Sequence, residues 1–513
     1  MRSHPGIEGE TGMIGQWTLG SIMADNKALE FAHRMIRRSH IHCSWRDIAM
    51  FRSRIWFLLA IVAVVSTPLA AVAESPRKPN IIFILADDLG IPAIGCYGGA
   101  YKTPNLDALA ASGTRFENCF AAPLCAPSRA LLMTGRYAFR TGVIDNGHGA
   151  AATPDKDGCV ALLLKEAGYK TAVAGKWRQL SYFTSKEDGA KWGFDEFLIW
   201  GAGLPDDEGD AKPKKKKNAA DGEGKAKPDR YWDPDYNLNG KMLKDADGKY
   251  GPDVLNEFVI DFVRRHKAEP FFVYYPTPLI HGPILPTPDS KSQDKKKLKK
   301  KKDADNVGKG SVYADNIEYL DKQIGKLVAE LDALKLRDNT LIVFTGDNGS
   351  VPVGTINGQK IEGHKHTMLE GGSRVPLIAN WRGVTPSGVV LKDLVDFSDF
   401  LPTFVELAGM KLPTTRPIDG RSFAPQLLGK PGQPRDWAYV HLGNRRYVRS
   451  DRWKLTNDGK FFDMQEAPFR EILVPAEKES AEAKAARTQL QVTLDHLIAQ
   501  DKDAGNTPKK RKK

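Results

Sequence analysis

Two apolar runs, far apart in the chain, constrain its fold more than any other feature. Asn80-Ile81-Ile82-Phe83-Ile84-Leu85-Ala86 and Thr340-Leu341-Ile342-Val343-Phe344 are continuous, rich in β-branched residues and without polar alternation. That pattern suits strands buried on both faces, as in the centre of a parallel sheet. Each run stops in polar residues: Asp87-Asp88-Leu89-Gly90 after the first, Thr345-Gly346-Asp347-Asn348-Gly349 after the second. In open α/β sheets, ligands bind outside the carboxyl ends of the strands. Both strands therefore deliver carboxylate and amide groups to the edge where a site belongs.

Further signals alternate around these two. Residues 160–167 read as a helix, residues 170–174 as a strand leading into Gly175-Lys176-Trp177, and residues 269–275 as a strand before the His281-Gly282-Pro283 loop. Residues 313–336 have helical periodicity, with Ile317, Leu320, Ile324, Leu327 and Leu331 along one face. The alternation predicts a doubly wound α/β fold with a mixed, mostly parallel sheet. After about Gly432 the pattern shortens: residues 447–455 and 460–464 read as antiparallel strands and residues 477–500 as a terminal helix. The expected organisation is a catalytic α/β domain over 78–431 and a small C-terminal α+β subdomain with a basic tail over 432–513. No internal repeat is visible.

The net charge of +12 suggests nucleic acid until its distribution is read. Residues 212–217, 291–302 and 509–513 together hold 18 Lys and Arg, more than the whole excess. The rest of the chain is near neutral and carries no recognisable nucleic-acid module, so no nucleic-acid partner is expected. Two of the clusters sit in low-complexity insertions, 205–230 and 286–310, read as solvated mobile loops. The other reading is that they steer a polyanionic substrate or surface polymer.

Residues 50–73 read as a secretory signal. Arg52 and Arg54 form its basic start, residues 55–65 its apolar core, and Ala71-Val72-Ala73 a small-residue cleavage site. The apolar run is too short for a comfortable membrane span. Residues 1–49 are expected to be a mis-called extension ahead of a true start at Met50. The mature protein is expected to be secreted or periplasmic, with no stable membrane span.

Asp87, Asp88, Asp347 and Asn348 offer only oxygen ligands, which suits a hard divalent cation such as Ca²⁺ or Mg²⁺. An Asp-Asp pair alone fits helix capping or a turn as well; two acidic pairs after two buried strands favour the metal. Cys125-Ala126-Pro127-Ser128-Arg129 is the other chemical centre. Pro127 fits a first helical turn that Ala130-Leu131-Leu132-Met133 continues. Cys125 then lies near a helix amino terminus, which favours an anion, and Arg129 one turn on can face the same point. A thiol so placed would be acidified, so a reactive-cysteine enzyme also fits, as does a buried packing cysteine.

The segment Cys125 to Tyr137 (Cys-Ala-Pro-Ser-Arg-Ala-Leu-Leu-Met-Thr-Gly-Arg-Tyr) resembles the signature of type I sulfatases in the alkaline phosphatase superfamily. Other segments are similar to that family's motifs in the same order: residues 80–90, Thr103-Pro104-Asn105-Leu106-Asp107, Trp192-Gly193-Phe194-Asp195-Glu196-Phe197, residues 345–349, and Lys365 with Glu370-Gly371-Gly372-Ser373-Arg374-Val375-Pro376. The resemblance covers nearly the whole mature chain. It implies that a formylglycine-generating enzyme oxidises Cys125 to formylglycine. It implies Ca²⁺ held by Asp87, Asp88, Asp347, Asn348 and residue 125, with Mg²⁺ as the alternative ion. Arg129 would stabilise the hydrated aldehyde, and Lys176, His281 and Lys365 would contact the sulfate ester. In that scheme Asp347 takes the proton of the attacking hydroxyl, His281 protonates the leaving alcohol, and the second hydroxyl lets sulfate be expelled. If Cys125 is converted, three mature cysteines remain (Cys96, Cys119 and Cys159), too few for a disulfide framework.

One position departs from the family. Gly175-Lys176-Trp177 is followed by Arg178 where the family usually has histidine. Arginine stays protonated and cannot serve as a base. Either His148, His364 or His366 takes over, or Arg178 acts as an anion clamp in substrate binding, or turnover is impaired. The expected activity is hydrolysis of sulfate esters on a sulfated polysaccharide or glycan. A phosphoester hydrolase of the same superfamily and a non-catalytic sulfated-glycan binder are the alternatives.

Overall fold

The structure, a computed structural model, describes residues 78–177, 187–200, 230–243, 246–291, 308 and 310–501. The leader and signal segments, Arg178, most of both lysine-rich insertions and the tail from residue 502 lie outside the described residues.

The main sheet has ten strands. In chain order they are β1 (Asn80–Ala86), β2 (Thr114–Phe120), β3 (Lys170–Lys176), β4 (Glu196–Trp200), β5 (Tyr236–Leu238), β6 (Lys241–Met242), β7 (Phe271–Tyr275) and β8 (Thr340–Gly346). A separate two-stranded ribbon, β9 (Thr355–Ile356) and β10 (Gln359–Lys360), precedes β11 (Arg374–Trp381) and β12 (Val389–Asp396). Across the main sheet the order is β12-β2-β11-β8-β1-β7-β3-β4-β5-β6. The five strands from β8 to β4 run parallel. β11 is antiparallel to both its neighbours, and β5 and β6 finish the far edge antiparallel. This is the mixed, mostly parallel sheet the alternation predicts.

β1 is buried at every position because helices cover both of its faces. Ile81, Phe83 and Leu85 pack with Ala130, Leu132, Val160, Phe400 and Phe404 on one side. Ile82 and Ile84 pack with Leu106, Leu255, Val259, Ile317 and Leu327 on the other. At roughly 1.5–3 kcal/mol for each fully buried large aliphatic or aromatic side chain, this double coverage is a principal stabilising term of the fold.

A five-stranded antiparallel sheet lies near the C-terminus: β13 (Ala438–Leu442), β14 (Arg445–Arg449), β15 (Trp453–Thr456), β16 (Phe461–Asp463) and β17 (Ile472–Leu473). Helix Ala481–Ala499 buries Leu490, Leu494 and Leu497 against a cluster that includes Leu455 and Phe461. Residues 447–455 are not one strand, as their apolar content suggests. A turn at Ser450, whose N–H donates to Trp453 O at 2.8 Å, divides them between β14 and β15. The helix expected over 313–336 closes at Ala333, and Lys335 follows in the left-handed region with φ 59°. The stretch from Pro286 does not begin as a loose loop: Thr287 and Ser290 are buried, and Trp232 Nε1 donates to Pro286 O at 2.9 Å. Arg230 is likewise packed, with its guanidinium 4.3 Å over the Trp200 ring.

Candidate active site

β1 and β8 run in register from Asn80 opposite Thr340 to Ala86 opposite Gly346, so both strands end at the same level. Asp347 N–H donates to Ala86 O (2.9 Å), and Asp88 N–H donates to the Asp347 carboxylate (2.9 Å). Asp88 is held at φ 62°, a conformation non-glycine residues adopt at a cost. The loop after β7 joins through Asp87 N–H to Leu279 O and Ile280 N–H to Asp87 O, both 2.8 Å. Lys176 ends β3 and donates its N–H to Pro276 O at 2.7 Å. Two glycines permit the closest approaches. A Cβ on Gly346 would lie 1.9 Å from Leu89 O, and one on Gly349 would lie 1.7 Å from Gly371 O.

Cys125 opens helix Cys125–Thr134, every residue of which is buried. Leu124 at the N-cap offers no side-chain oxygen, so the first turn is satisfied from elsewhere: Ala126 N–H donates to Asn146 Oδ1 at 2.9 Å. The Cys125 Sγ lies 3.7 Å from Asp87 Oδ1, 3.8 Å from Asp88 Oδ1 and 3.5 Å from Lys176 Nζ. Arg129 donates through Nε (3.0 Å) and Nη2 (2.8 Å) to Asp347 Oδ2, and through Nη1 to Lys176 O (3.0 Å). Lys176 Nζ sits 2.6 Å from Asp87 Oδ2, and Lys365 Nζ 2.6 Å from Asp88 Oδ1. Asn348 Nδ2 donates to Asp88 Oδ1 at 2.9 Å, and His281 Nε2 lies 3.8 Å from Asp88 Oδ2. Nine of the residues singled out in the sequence thus meet at one point. The tenth, Arg178, lies outside the described residues.

The three histidines offered as replacements for the family's histidine hold distinct places. His148 bonds Asp145 at 2.7 Å in the segment whose Asn146 reaches the helix that begins at Cys125. His364 Nδ1 meets Lys365 O at 2.8 Å. His366, at φ 72°, donates its N–H to Pro123 O at 2.9 Å. Two residues that no motif marked, Arg230 and Tyr231, contact His281: Arg230 Nη1 at 2.7 Å from Nδ1, and the Tyr231 hydroxyl at 2.5 Å from the His281 carbonyl oxygen.

Three carboxylates and three cations face one another here, all but wholly out of solvent. Burial raises the Asp87 pKa, but Lys176, His281, Arg129 and Lys365 together drive it well below the ordinary range. Asp347 goes the other way: burial, with Asp87 and Asp88 beside it, outweighs Arg129 and Lys176 and lifts it to about 6. For Lys365, burial opposes the charge, yet Cys125 and the three carboxylates raise its pKa. Burial also keeps the His281 pKa below its usual value. The sequence allowed an acidified Cys125 thiol; the structure gives the reverse. Burial raises its pKa, and Asp347, Asp87 and Asp88 add to the rise against Lys176. An unmodified thiol in this setting is not a ready thiolate nucleophile.

The donor set fits a hard cation. Ligand atoms of Asp87 and Asp88 lie within 4.8 Å of each other and of the Cys125 Sγ, with His281 bringing a ring nitrogen, not an oxygen, to the same cluster. Asn348 Oδ1 is a buried acceptor that receives no hydrogen bond. Such an oxygen, among carboxylates, is what Ca²⁺ or Mg²⁺ would satisfy.

Buried carboxylates, a helix amino terminus and three cations at the carboxyl edge of a doubly wound sheet define a centre suited to anionic esters. The chain matches the Sulfatase family over residues 79–410 and belongs to that family. Curated relatives are named as sulfatases. N-acetylgalactosamine-6-sulfatase of Sus scrofa is 33% identical over 401 residues, 73% of this chain and 70% of that one. A sulfatase of Formosa agariphila is 30% identical over 438 residues, 74% and 78% of the two chains. Among solved structures, Ps i-CgsB in complex with k-i-k-neocarrahexaose superposes with a TM-score of 0.67 at 26% identity, covering 84% of this chain and 94% of that one.

Proposed function

We propose that this sulfatase hydrolyses sulfate esters of a sulfated polysaccharide or glycan, with formylglycine at position 125 as its nucleophile. The observation that carries the reading is the position of Cys125: its Sγ lies within 4 Å of Asp87, Asp88 and Lys176 at a buried helix amino terminus. The Sγ stands in for the oxygens of a hydrated formylglycine. That group, made by a formylglycine-generating enzyme, supplies one hydroxyl to attack sulfur and a second whose collapse expels sulfate. Asp87, Asp88, Asp347 and Asn348, with residue 125, would hold Ca²⁺, or Mg²⁺. The bound ion supplies a lowered hydroxyl pKa and positive charge for the ester oxygens.

The side chains divide the remaining work. Asp347, held by Arg129 at the end of β8, is the carboxylate placed to accept the proton of the attacking hydroxyl. Arg129, bonded to Asp347, orients that carboxylate and helps neutralise charge developing at sulfur. Lys176 at the end of β3 and Lys365 in the segment before β11 meet the adjacent carboxylates of Asp87 and Asp88, and bind the sulfuryl oxygens. His281 Nε2 faces the centre and gives its proton to the leaving alcohol. With a divalent ion added to three carboxylates and three cations, the centre carries net positive charge, as an anionic ester requires.

The same reading places the protein outside the cytoplasm, exported by residues 50–73, with the catalytic domain at 78–431 and the subdomain at 432–513. No described helix is long and apolar enough to cross a membrane. The substrate class rests on Ps i-CgsB, solved in complex with k-i-k-neocarrahexaose, and on relatives named N-acetylgalactosamine-6-sulfatase. The test compares sulfate and phosphate monoesters of one alcohol, then sulfated polysaccharides, using protein made with the maturation enzyme. Sulfate release with little phosphate release supports the proposal; the opposite preference overturns it.

A further inference from the structure

The contact between Arg230 and His281 belongs to none of the sequence motifs, yet it bears directly on the acid step. Arg230 is held from three sides. Its guanidinium lies 4.3 Å over the Trp200 ring at the end of β4, and its carbonyl accepts the Tyr236 hydroxyl at 2.8 Å. Gly251 leaves room for that carbonyl, since a Cβ there would lie 2.3 Å from it. From this seat Nη1 reaches His281 Nδ1 at 2.7 Å. The next residue, Tyr231, is fully buried and bonds the His281 carbonyl at 2.5 Å. One dipeptide thus grips both the ring and the main chain of the histidine.

A guanidinium has only donors. Its approach to Nδ1 therefore requires a lone pair there, which leaves the proton of a neutral imidazole on Nε2. Gly282 O, 2.6 Å from the same Nδ1, favours the other tautomer. The two contacts are exclusive, because an Nδ1–H would point at a guanidinium that cannot accept it. The charged, stacked donor is the stronger partner. Nε2, 3.8 Å from Asp88 Oδ2, then carries its proton toward the centre.

We propose that Arg230 is a positioning residue that holds His281 as the neutral Nε2–H tautomer, so that its only ring proton faces the leaving-group oxygen. The inference rests on the proposed sulfatase reaction for its kinetic consequence but not for its structural one. As the hydroxyl oxygen of residue 125 bonds to sulfur, the ester S–O bond breaks, its electron pair stays on the alcohol oxygen, and that oxygen takes the Nε2 proton. His281 is left as an imidazolate whose Nδ1 faces the Arg230 guanidinium, which stabilises that negative charge until solvent returns a proton to Nε2.

The kinetic test measures Arg230→Met on an alkyl or sugar sulfate, whose leaving group needs protonation, and on 4-nitrophenyl sulfate, whose leaving group does not. The expected loss in kcat/KM is at least about tenfold greater on the alkyl ester, as for a partly lost general acid. Arg230→Lys, which keeps a cationic donor, should recover part of it, and Arg230→Met should add little in a His281→Ala background. Equal losses on both esters, or additive losses in the double variant, would overturn the proposal. If wild type cleaves neither ester, the sulfatase reading fails instead, and the tautomer is still decided by ¹⁵N-histidine NMR. There the His281 signal, assigned with His281→Gln, should show the proton on Nε2 in wild type and move toward Nδ1–H in Arg230→Met. A wild-type proton on Nδ1 contradicts the proposal.

Discussion

Arg129 and Asp347 form a two-pronged ion pair, Nε at 3.0 Å and Nη2 at 2.8 Å from one carboxylate oxygen, with both side chains removed from water. The pair ties the helix that begins at Cys125 to the end of β8, so one contact holds both the fold and the relative placement of residues 125 and 347. Removing one partner of a buried pair leaves an uncompensated charge, at a cost of about 3–5 kcal/mol. Arg129→Met should lower the unfolding free energy by about that amount in urea denaturation and abolish turnover. Arg129→Met with Asp347→Asn should regain part of the stability and none of the activity. A single variant as stable as wild type would contradict this.

Calcium should stabilise the protein before any substrate is added. At free ion one hundred times its Kd, linkage gives about 2.7 kcal/mol. The thermal midpoint should rise with Ca²⁺ and fall with chelator. Asn348→Leu, which removes the unpartnered buried oxygen, should shrink the shift. Identical midpoints with Ca²⁺ and with chelator would contradict the cation site.

His441 should make the C-terminal sheet sensitive to acid. Burial first, then Arg446, depress its pKa to about 4, against a Gly443 carbonyl at 2.7 Å and Asp501 that oppose the shift. The unfolded value is about 6.5, so the unfolded chain binds the extra proton between those values. Stability is therefore fully present above pH ~6.5 and falls as pH drops toward about 4, by up to roughly 3 kcal/mol. His441→Phe should flatten that part of the stability–pH curve measured by denaturant unfolding. An unchanged slope would show that other groups control it.

Gly346 is where β8 must pass the turn after β1. With a methyl group 1.9 Å from Leu89 O, Gly346→Ala should separate Asp347 from Asp87 and Asp88. The expected result is a destabilisation above about 4 kcal/mol, in the range reserved for disrupted cores, with loss of the calcium response. A soluble variant with a normal calcium shift would contradict the close approach.

The parts of this site that can be read in the sequence are those set by local pattern. β1 and β8 are uninterrupted because helices cover both their faces, and the residues that follow such strands must meet at one edge. Pro127 and the small residues around it mark the helix that presents Cys125. β2 was not evident because Arg115, Glu117 and Asn118 interrupt its apolar residues; pairing with β11 and β12, far along the chain, makes it a strand. Arg230 was hidden for a related reason. It adjoins a lysine-rich stretch and finds its partners, Trp200 and His281, only in three dimensions. The turn at Ser450 carries no glycine or proline, so β14 and β15 read as one run.

The central claim is that residue 125 acts as an aldehyde in a cationic, metal-capable pocket. Peptide mass spectrometry across Cys125, on protein made with a formylglycine-generating enzyme, tests it most directly. The account predicts an aldehyde-bearing residue 125, with sulfate release that rises with the fraction converted. An intact thiol under conditions that convert a control sulfatase, in protein that still hydrolyses sulfate esters, would contradict it.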